Sequence, residues 1–442
     1  MALLSKTFKQ AIFLGVVLLG TITATELSFR IVGYQGNQFR SILFGDDINS
    51  VLVFEQSPLL WWKLRKNVIV PFLGKKVATD NVGLRVCLHH KKNSIHNAVR
   101  ILCLGDSSTF GWGLDYDQTY SYLLKQRLKQ TLRDVQVYNG GVPGYTSFQS
   151  LLLFESIVDR VKPQVVIIYS SNNENSLAQY SDRERFKLTG RMLWLRIWLN
   201  RSLTYQFMKG VLIRAKPFKI TGTISLDQLS ELSPRVRLSE YRDNLLQLIK
   251  LARKKGIAPL LVTVPSHIGH PYLFNVPAKD PQVNALLEQA EERIMKGQYE
   301  SALADLEKVQ RLSPDYYKIH FLRGKLFQLM ERNSGVAEYE KALECHPFPE
   351  RLKRSYNELL LRTAAKNGVP AVDLYKAFRD HTLGPEKLFI DACHPSPSGH
   401  KFIAQLLAPP IIEILNEQGR DWNSALPPPT RRDNKAMSII NP

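Results

Sequence analysis

The first sustained pattern in the chain is an uncharged, mostly apolar run from Ala11 to Thr25, preceded by Lys6 and Lys9. Alone it is short for a membrane span and long enough for a signal-peptide core. The helical pattern continues through Leu27, Phe29, Ile31 and Val32, and Glu26 and Arg30, four apart, can pair on one helix face. Read to Val32, the helix is roughly 33 Å long at about 1.5 Å per residue. It lacks an A-x-A cleavage signal, so residues 1–33 read as a signal anchor, with a cleaved signal peptide as the alternative. The basic residues ahead of it predict a cytoplasmic N-terminus and a periplasmic or other extracytoplasmic location for the bulk of the chain.

From Gly33 to Asn97 no period persists. The stretches "SPLLWWKLRKN" and "TDNVGLRV" read as a connecting arm, residues 34–97, ending in a small β-rich lead-in. An alternation then begins. Val99–Leu104 is an apolar strand, Tyr120–Thr131 has helical spacing, and Val135–Tyr138 is a strand. Ser147–Val161 is helical, and Val165–Tyr169 is a strand that Pro163 precedes. Strands alternating with helices predict a parallel sheet with helices on both faces. Right-handed crossovers place the strand C-termini on one edge, where ligands of open α/β sheets bind. The alternation resumes with a helix at Ser239–Lys255 and a strand at Leu260–Val264. It finishes with a strand at Ala371–Leu374 and a helix from Ser398 to about Leu415.

Two segments break the alternation. Ser181 to Lys219 mixes "RMLWLRIWL" with many Arg and Lys residues and two acids, Asp182 and Glu184. It reads either as a basic amphipathic helix on a membrane surface or as a cover over the sheet edge with Trp194 and Trp198 packed inward. The second break, residues 281–348, is helical. Gly297, Tyr299, Ala302, Leu306 and Pro314 fall at tetratricopeptide spacing, and Gly324, Phe327, Tyr339, Ala342 and Pro347 repeat it more loosely. This predicts either two helix pairs that could bind a protein partner or an ordinary helical insertion. The sheet domain is thereby divided into residues 98–280 and 349–416. The tail, 417–442, is rich in proline and charge from Ser424 and reads as disordered.

The net charge of +19 over 442 residues changes this picture in one respect. It favours an anionic surface as partner, and with an anchor present lipid or glycan fits better than nucleic acid, for which the chain shows no module. Simple surface solubility explains it as well. Cys87, Cys103, Cys345 and Cys393 form no C-x-x-C pair, which argues against a zinc knuckle or redox motif.

The candidate chemistry lies at strand ends. Gly105-Asp106-Ser107 follows the first strand of the alternation, a glycine-rich "NGGVPGYTS" follows the second, and "YSSNNEN" follows the third. Asp391 and His394 come far downstream in "DACHPSPSGH". Ester hydrolysis needs an exposed serine activated by a base, a group that orients the base, and donors for the developing oxyanion. Ser107 on a tight turn, His394 three residues after Asp391, and an N–H at Gly144 supply candidates for each. An Asn at the end of the third strand adds another donor.

At these residues the chain resembles the SGNH (GDSL-type) hydrolases, a family of esterases and acyl-transferring enzymes, over roughly residues 78 to 180 and 235 to 410. The resemblance implies a three-layer α/β/α flavodoxin-like fold. It implies Ser107 as nucleophile and oxyanion donor, Gly144 as a second donor, and Asp391 and His394 as the rest of a triad. "TDNVGLR" resembles a lead-in of membrane-anchored bacterial members. The third block departs from the family's G-x-N-D, since Ser171-Asn172-Asn173-Glu174 stands there. The oxyanion Asn maps onto Asn173, and Asn172 is the competing register. The implied function is a membrane-anchored extracytoplasmic serine esterase acting on an acyl ester through an acyl-Ser107 intermediate. The alternatives are an O-acyltransferase on an envelope glycan and an idle scaffold binding partners through 281–348. Neither metal nor cofactor is expected. His89 and His90 read as a solvated loop, and His400 as helix surface.

Overall fold

The computed structural model describes residues 2–33, 50–88, 98–132, 134–169, 171–190, 195, 198–199, 201–214, 232–332 and 334–417. Residues 34–49 of the arm, His89 and His90, Trp194 and the tail beyond 417 lie outside them. The strands are β1 (Phe54–Ser57), β2 (Trp61–Leu64), β3 (Ile69–Phe72), β4 (Lys75–Thr79), β5 (Arg85–Val86) and β6 (Val99–Gly105). They continue with β7 (Val135–Gly141), β8 (Val165–Tyr169), β9 (Leu177–Ala178), β10 (Ser233–Pro234), β11 (Ala258–Val262) and β12 (Ala371–Val372).

The core is a sheet whose parallel part runs β7-β6-β8-β11-β12. Numbered along the chain this is the order 2-1-3-4-5 of flavodoxin-like sheets. β8 reads Val-Val-Ile-Ile-Tyr and is buried at every residue, as a strand between two helix layers must be. Helices flank it in two groups. Tyr120–Leu128 packs on Pro397–Glu417, while Leu238–Lys254 packs on both Ser147–Val161 and Arg354–Lys366. Leu238–Lys254 turns Tyr241, Leu245, Leu248, Ile249 and Ala252 inward, a stripe of helical period. Thr146 and Gln149 form a capping box that starts Ser147–Val161. The chain leaves β6 for β7 on one side and returns to β8 on the other, so the loops after β6 and β8 flank a crevice at the switch point.

Three differences from the sequence reading bear on the site. First, residues 54–86 hold five strands. Three of them, β5, β4 and β3, extend the main sheet antiparallel beyond β7, with Arg85 opposite Asn139. Single-strand periodicity was invisible because the strands are only two to five residues long. Second, β7 runs on through Gly140 and Gly141. A Cβ on Gly141 would collide with the backbone of Thr109 and Phe110, so this glycine lets the turn after β6 sit against β7. Third, His400 is buried and not on the surface: its Nδ1 accepts the Tyr120 N–H at 3.0 Å and its ring stacks on Tyr120. Burial pushes its pKa down to about 3. The helix turns that face toward Tyr120–Leu128, which the local spacing could not say.

Residues 281–345 form four helices, Pro281–Met295, Tyr299–Leu312, Tyr317–Leu329 and Gly335–Cys345, that pair consecutively. The first three enclose a separate apolar cluster including Val283, Leu287, Leu306 and Leu322. The N-terminal helix, Ala2–Ile31, contains a stretch apolar enough to cross a membrane, Phe8–Ile31. The Glu26–Arg30 pair forms at 2.9 Å. In the basic segment the described helices are Asp182–Gly190 and Leu203–Arg214. Trp198 is 61% exposed, which contradicts its inward packing as part of a cover.

The β7 packing yields a stability test. Gly141→Ala should cost about 1–3 kcal/mol through overpacking against backbone that cannot yield. Gly190→Ala, which meets nothing within 4 Å, should leave the urea midpoint nearly unchanged. Equal midpoints for the two variants would contradict the close approach.

Candidate active site

Ser107 opens the four-residue helix Ser107–Phe110 immediately after β6. Asp106 fixes this turn. Its Oδ1 accepts the Ser108 N–H at 2.8 Å, and its Oδ2 accepts the Asn172 N–H at 2.9 Å and an Asn173 Nδ2–H at 3.3 Å. Asp106 is completely buried, and that burial raises its pKa against the pull of these donors. The loops after β6 and β8 are thus joined through one carboxylate.

Asp391 and His394 reach the same edge from the loop before Pro397–Glu417. His394 Nε2 accepts the Ser107 Oγ–H at 2.8 Å, and its Nδ1–H donates to Asp391 Oδ2 at 2.7 Å. The other Asp391 oxygen accepts the Cys393 and His394 amides at 2.9 and 2.8 Å, so the three-residue spacing closes on itself. Trp112 stacks on the imidazole at 5.4 Å. For Asp391, burial works upward, but the hydrogen bond and charge of His394 and the two amides outweigh it and hold the carboxyl well below its usual range. For His394, burial works against the imidazolium, while Cys393 and the Asp391 carboxylate outweigh it, so its proton affinity is raised.

Gly144 sits in a turn at φ 78°, a left-handed conformation suited to glycine. Among the described residues its N–H has no acceptor. Its carbonyl accepts from Arg235 Nη1 at 2.8 Å. That guanidinium is buried and paired with Asp182 at 2.9 Å, and it also donates to Gln149 Oε1 at 2.7 Å. Asn173 is half-buried, and its Nδ2 lies 3.0 Å from the Tyr145 carbonyl, beside Gly144. Ser171, standing where the family pattern has Gly, turns its hydroxyl to the same carbonyl and receives the Asn173 amide at 2.9 Å. Asn172 turns the other way. It is buried, and its Oδ1 accepts the Leu352 N–H at 3.1 Å. Glu174 is buried beneath the loop and accepts the Ser147 amide and hydroxyl at 2.7 and 3.0 Å. Burial raises its pKa to about 8.

The structure therefore brings Ser107, His394 and Asp391 into one hydrogen-bonded chain and lays Gly144 and Asn173 on adjoining loops. Sequence reading missed the groups that hold them. Asn139 donates to the Thr109 carbonyl at 2.8 Å and to Ser121 Oγ at 3.0 Å. Arg85, almost fully buried, donates to the carbonyls of Phe110, Gly111 and Leu114 at 2.5–2.8 Å. Both lie inside stretches already singled out, "NGGVPGYTS" and "TDNVGLR". Arg235 and Arg351 carry no local signal. Arg351, wholly buried, donates to the carbonyls of His267 and His270 at 2.5 and 2.8 Å, and the His267 amide donates to the Ala392 carbonyl at 3.0 Å. Asn175 bonds Pro349, Arg351 and Lys353 at 3.0–3.2 Å. The two chain segments that flank the four helices are therefore tied to the loops bearing Asn173 and His394.

Asp391, Cys393 and His394 also place three potential metal ligands within 4.8 Å of one another. Two of those groups are engaged with each other, and His394 with Ser107 as well. Burial raises the Cys393 pKa, away from the thiolate a metal would need. The donor set fits proton transfer better than metal binding.

Residues 103–321 match the GDSL-like Lipase/Acylhydrolase family. That range carries the loops of Ser107, Gly144 and Asn173 and ends within the four-helix segment, ahead of Asp391 and His394. Similar solved structures include a lipase/acylhydrolase from Enterococcus faecalis, 15% identical with a TM-score of 0.35, covering 71% of this chain and 95% of that one. A GDSL-like lipase from Bacteroides thetaiotaomicron is 13% identical with a TM-score of 0.34, covering 75% and 93%. A psychrotrophic esterase from Pseudoalteromonas is 11% identical with a TM-score of 0.34, covering 72% and 98%. No curated protein matches the chain. By the family match over residues 103–321, which carries the Gly105-Asp106-Ser107 turn, the chain belongs to the GDSL-like lipase/acylhydrolases, enzymes of ester bonds.

Proposed function

We propose that this chain is a membrane-anchored esterase that works outside the cytoplasm through an acyl-Ser107 intermediate. The observation that carries the reading is the continuous relay from Ser107 Oγ through His394 to Asp391, at 2.8 and 2.7 Å. His394 takes the proton as Ser107 attacks the acyl carbonyl, and Asp391 holds the ring in the tautomer that accepts at Nε2. The Ser107 and Gly144 amides and Asn173 Nδ2 receive the negative charge that develops on the carbonyl oxygen. His394 then returns the proton to the leaving alcohol. Water, activated by the same imidazole, releases the acid and frees Ser107. A sugar hydroxyl in place of water would make the enzyme an acyltransferase on an envelope glycan. The intact relay supports chemistry over a scaffold that performs none.

Three experiments follow. Fluorophosphonate should label the wild-type protein and not Ser107→Ala. With an acyl-ester panel, Ser107→Ala and His394→Ala should each abolish turnover, and the double variant should be no worse than either, because the relay acts as a unit. Adding glycan acceptors to the same panel separates transfer from hydrolysis. Residual turnover in Ser107→Ala at the wild-type rate would end the reading.

Asn173→Ala should lower kcat by about a hundredfold or more, the usual cost of one oxyanion donor, while Asn172→Ala should cost less in kcat and more in stability. The reverse ranking would move the donor to Asn172.

The pH profile provides the third test. His394 must be neutral to accept the serine proton, and its proton affinity is raised, so activity should fall as pH drops through a limb above pH 6.5. Asp391→Asn removes the carboxylate that raises it. The limb should then move to lower pH while the plateau rate falls by about a thousandfold or more. A limb that stays in place would separate Asp391 from His394.

A further inference from the structure

The N-terminal helix is long enough to cross a bilayer, but its uncharged run is shorter than the hydrocarbon core. Between Lys9 and Glu26 lie the uncharged residues Gln10 to Thr25, which as a helix span about 24 Å against a hydrocarbon core of about 30 Å. An uncharged run this short draws its flanking charges toward the hydrocarbon edge. Glu26 therefore sits at that boundary, where an unpaired carboxylate is costly.

The structure supplies its partners. One Glu26 oxygen accepts from Arg30 at 2.9 Å. The other accepts from Ser202 Oγ at 2.9 Å, the Thr204 N–H at 3.0 Å and Thr204 Oγ1 at 3.2 Å. The carboxylate thus caps the first turn of Leu203–Arg214. Phe29 meets Phe207 at 5.2 Å, three residues further along each helix, so the two run in the same direction, outward from the Glu26 level. The chain just ahead of Ser202 must then lie at or below that level. There the Arg201 amide bonds the Trp198 carbonyl and the Ser202 amide bonds the Leu199 carbonyl, each at 3.0 Å. Trp198 is 61% exposed and Arg201 is exposed. A tryptophan and an arginine at this height are the side chains that favour a lipid headgroup boundary, the indole at the glycerol level and the guanidinium on phosphate.

We propose that Trp198 and Arg201 form a second membrane contact, seated in the interfacial layer of the outer leaflet beside the N-terminal helix and held at that depth by Glu26. This rests on the reading of residues 1–33 as a retained anchor. With two points of attachment, the catalytic chain is held against the membrane and cannot pivot freely on one helix. The partner is phospholipid, favoured by the chain's positive charge when the headgroups are anionic.

The test uses the full-length protein in proteoliposomes of phosphatidylglycerol and phosphatidylcholine, with bromine on the acyl chain either near the glycerol or near the terminal methyl. Tryptophan fluorescence should be quenched chiefly by the shallow bromines. Trp198→Phe should remove most of that quenching and leave hydrolysis of a soluble ester unchanged. Glu26→Leu lengthens the uncharged run but removes the acceptor, so it should stay in the membrane and lose the same component. If both variants are quenched like the wild type while remaining resistant to carbonate extraction, the anchor stands and the second contact is overturned. If the wild-type protein is soluble, with an N-terminus beyond Glu26, the anchor reading has failed and takes this inference with it.

Discussion

The buried carboxylate of Asp106 is the junction on which the rest of the site depends. A serine after a strand has many turns open to it, and an asparagine on the loop after the neighbouring strand has no intrinsic reason to face it. Asp106 removes both freedoms with two oxygens, one on the Ser108 amide and one on the Asn172 and Asn173 donors. Wholly excluded from water, the group would be strongly unfavourable without these partners. The cost of burial ensures that the two loops hold one relative position. The crevice at the switch point is a consequence of sheet order, but its reactive geometry is a consequence of this carboxylate.

Buried guanidiniums repeat the device around the rim. Arg85 gathers the carbonyls that follow Ser107, Arg235 holds the Gly144 carbonyl, and Arg351 gathers the loop that leads to the four helices. Each satisfies backbone acceptors that a loop folded into the protein would otherwise leave bare. Arginine suits this because its planar fork presents several donors at fixed angles and its charge is weakly hydrated. Arg235 also faces a buried carboxylate, Asp182, at 2.9 Å. Part of the positive charge of the chain is therefore spent inside, on loop geometry, and not offered to an outside partner.

The four-helix segment illustrates how packing qualifies a boundary drawn from periodicity. Its first three helices share their own apolar cluster. Yet the chain on either side of them is clasped by Arg351 and Glu350 and reaches the loops of Asn173 and His394. A segment can have a separate core and still share its root with the site.

Much of the fold was written in the local pattern. Ser147–Val161 and Val165–Tyr169 are found within the limits their periodicity sets, because a capping box and an apolar run of five are complete local signals. The meeting of Ser107, Asp391 and His394 was legible because Ser107 follows a strand on a tight turn and the D-x-x-H spacing lets Asp391 and His394 share one loop. Tertiary structure alone decided what no window of sequence contains. It joined β3, β4 and β5 to the sheet through the single pairing of Arg85 with Asn139. It turned His400 inward, chose Asn172 for the Leu352 amide and left Asn173 beside Gly144, and brought Ser202 and Thr204 to Glu26. Each of these is a polar group finding a partner far along the chain, and burial fixes such partners only once the whole chain has packed.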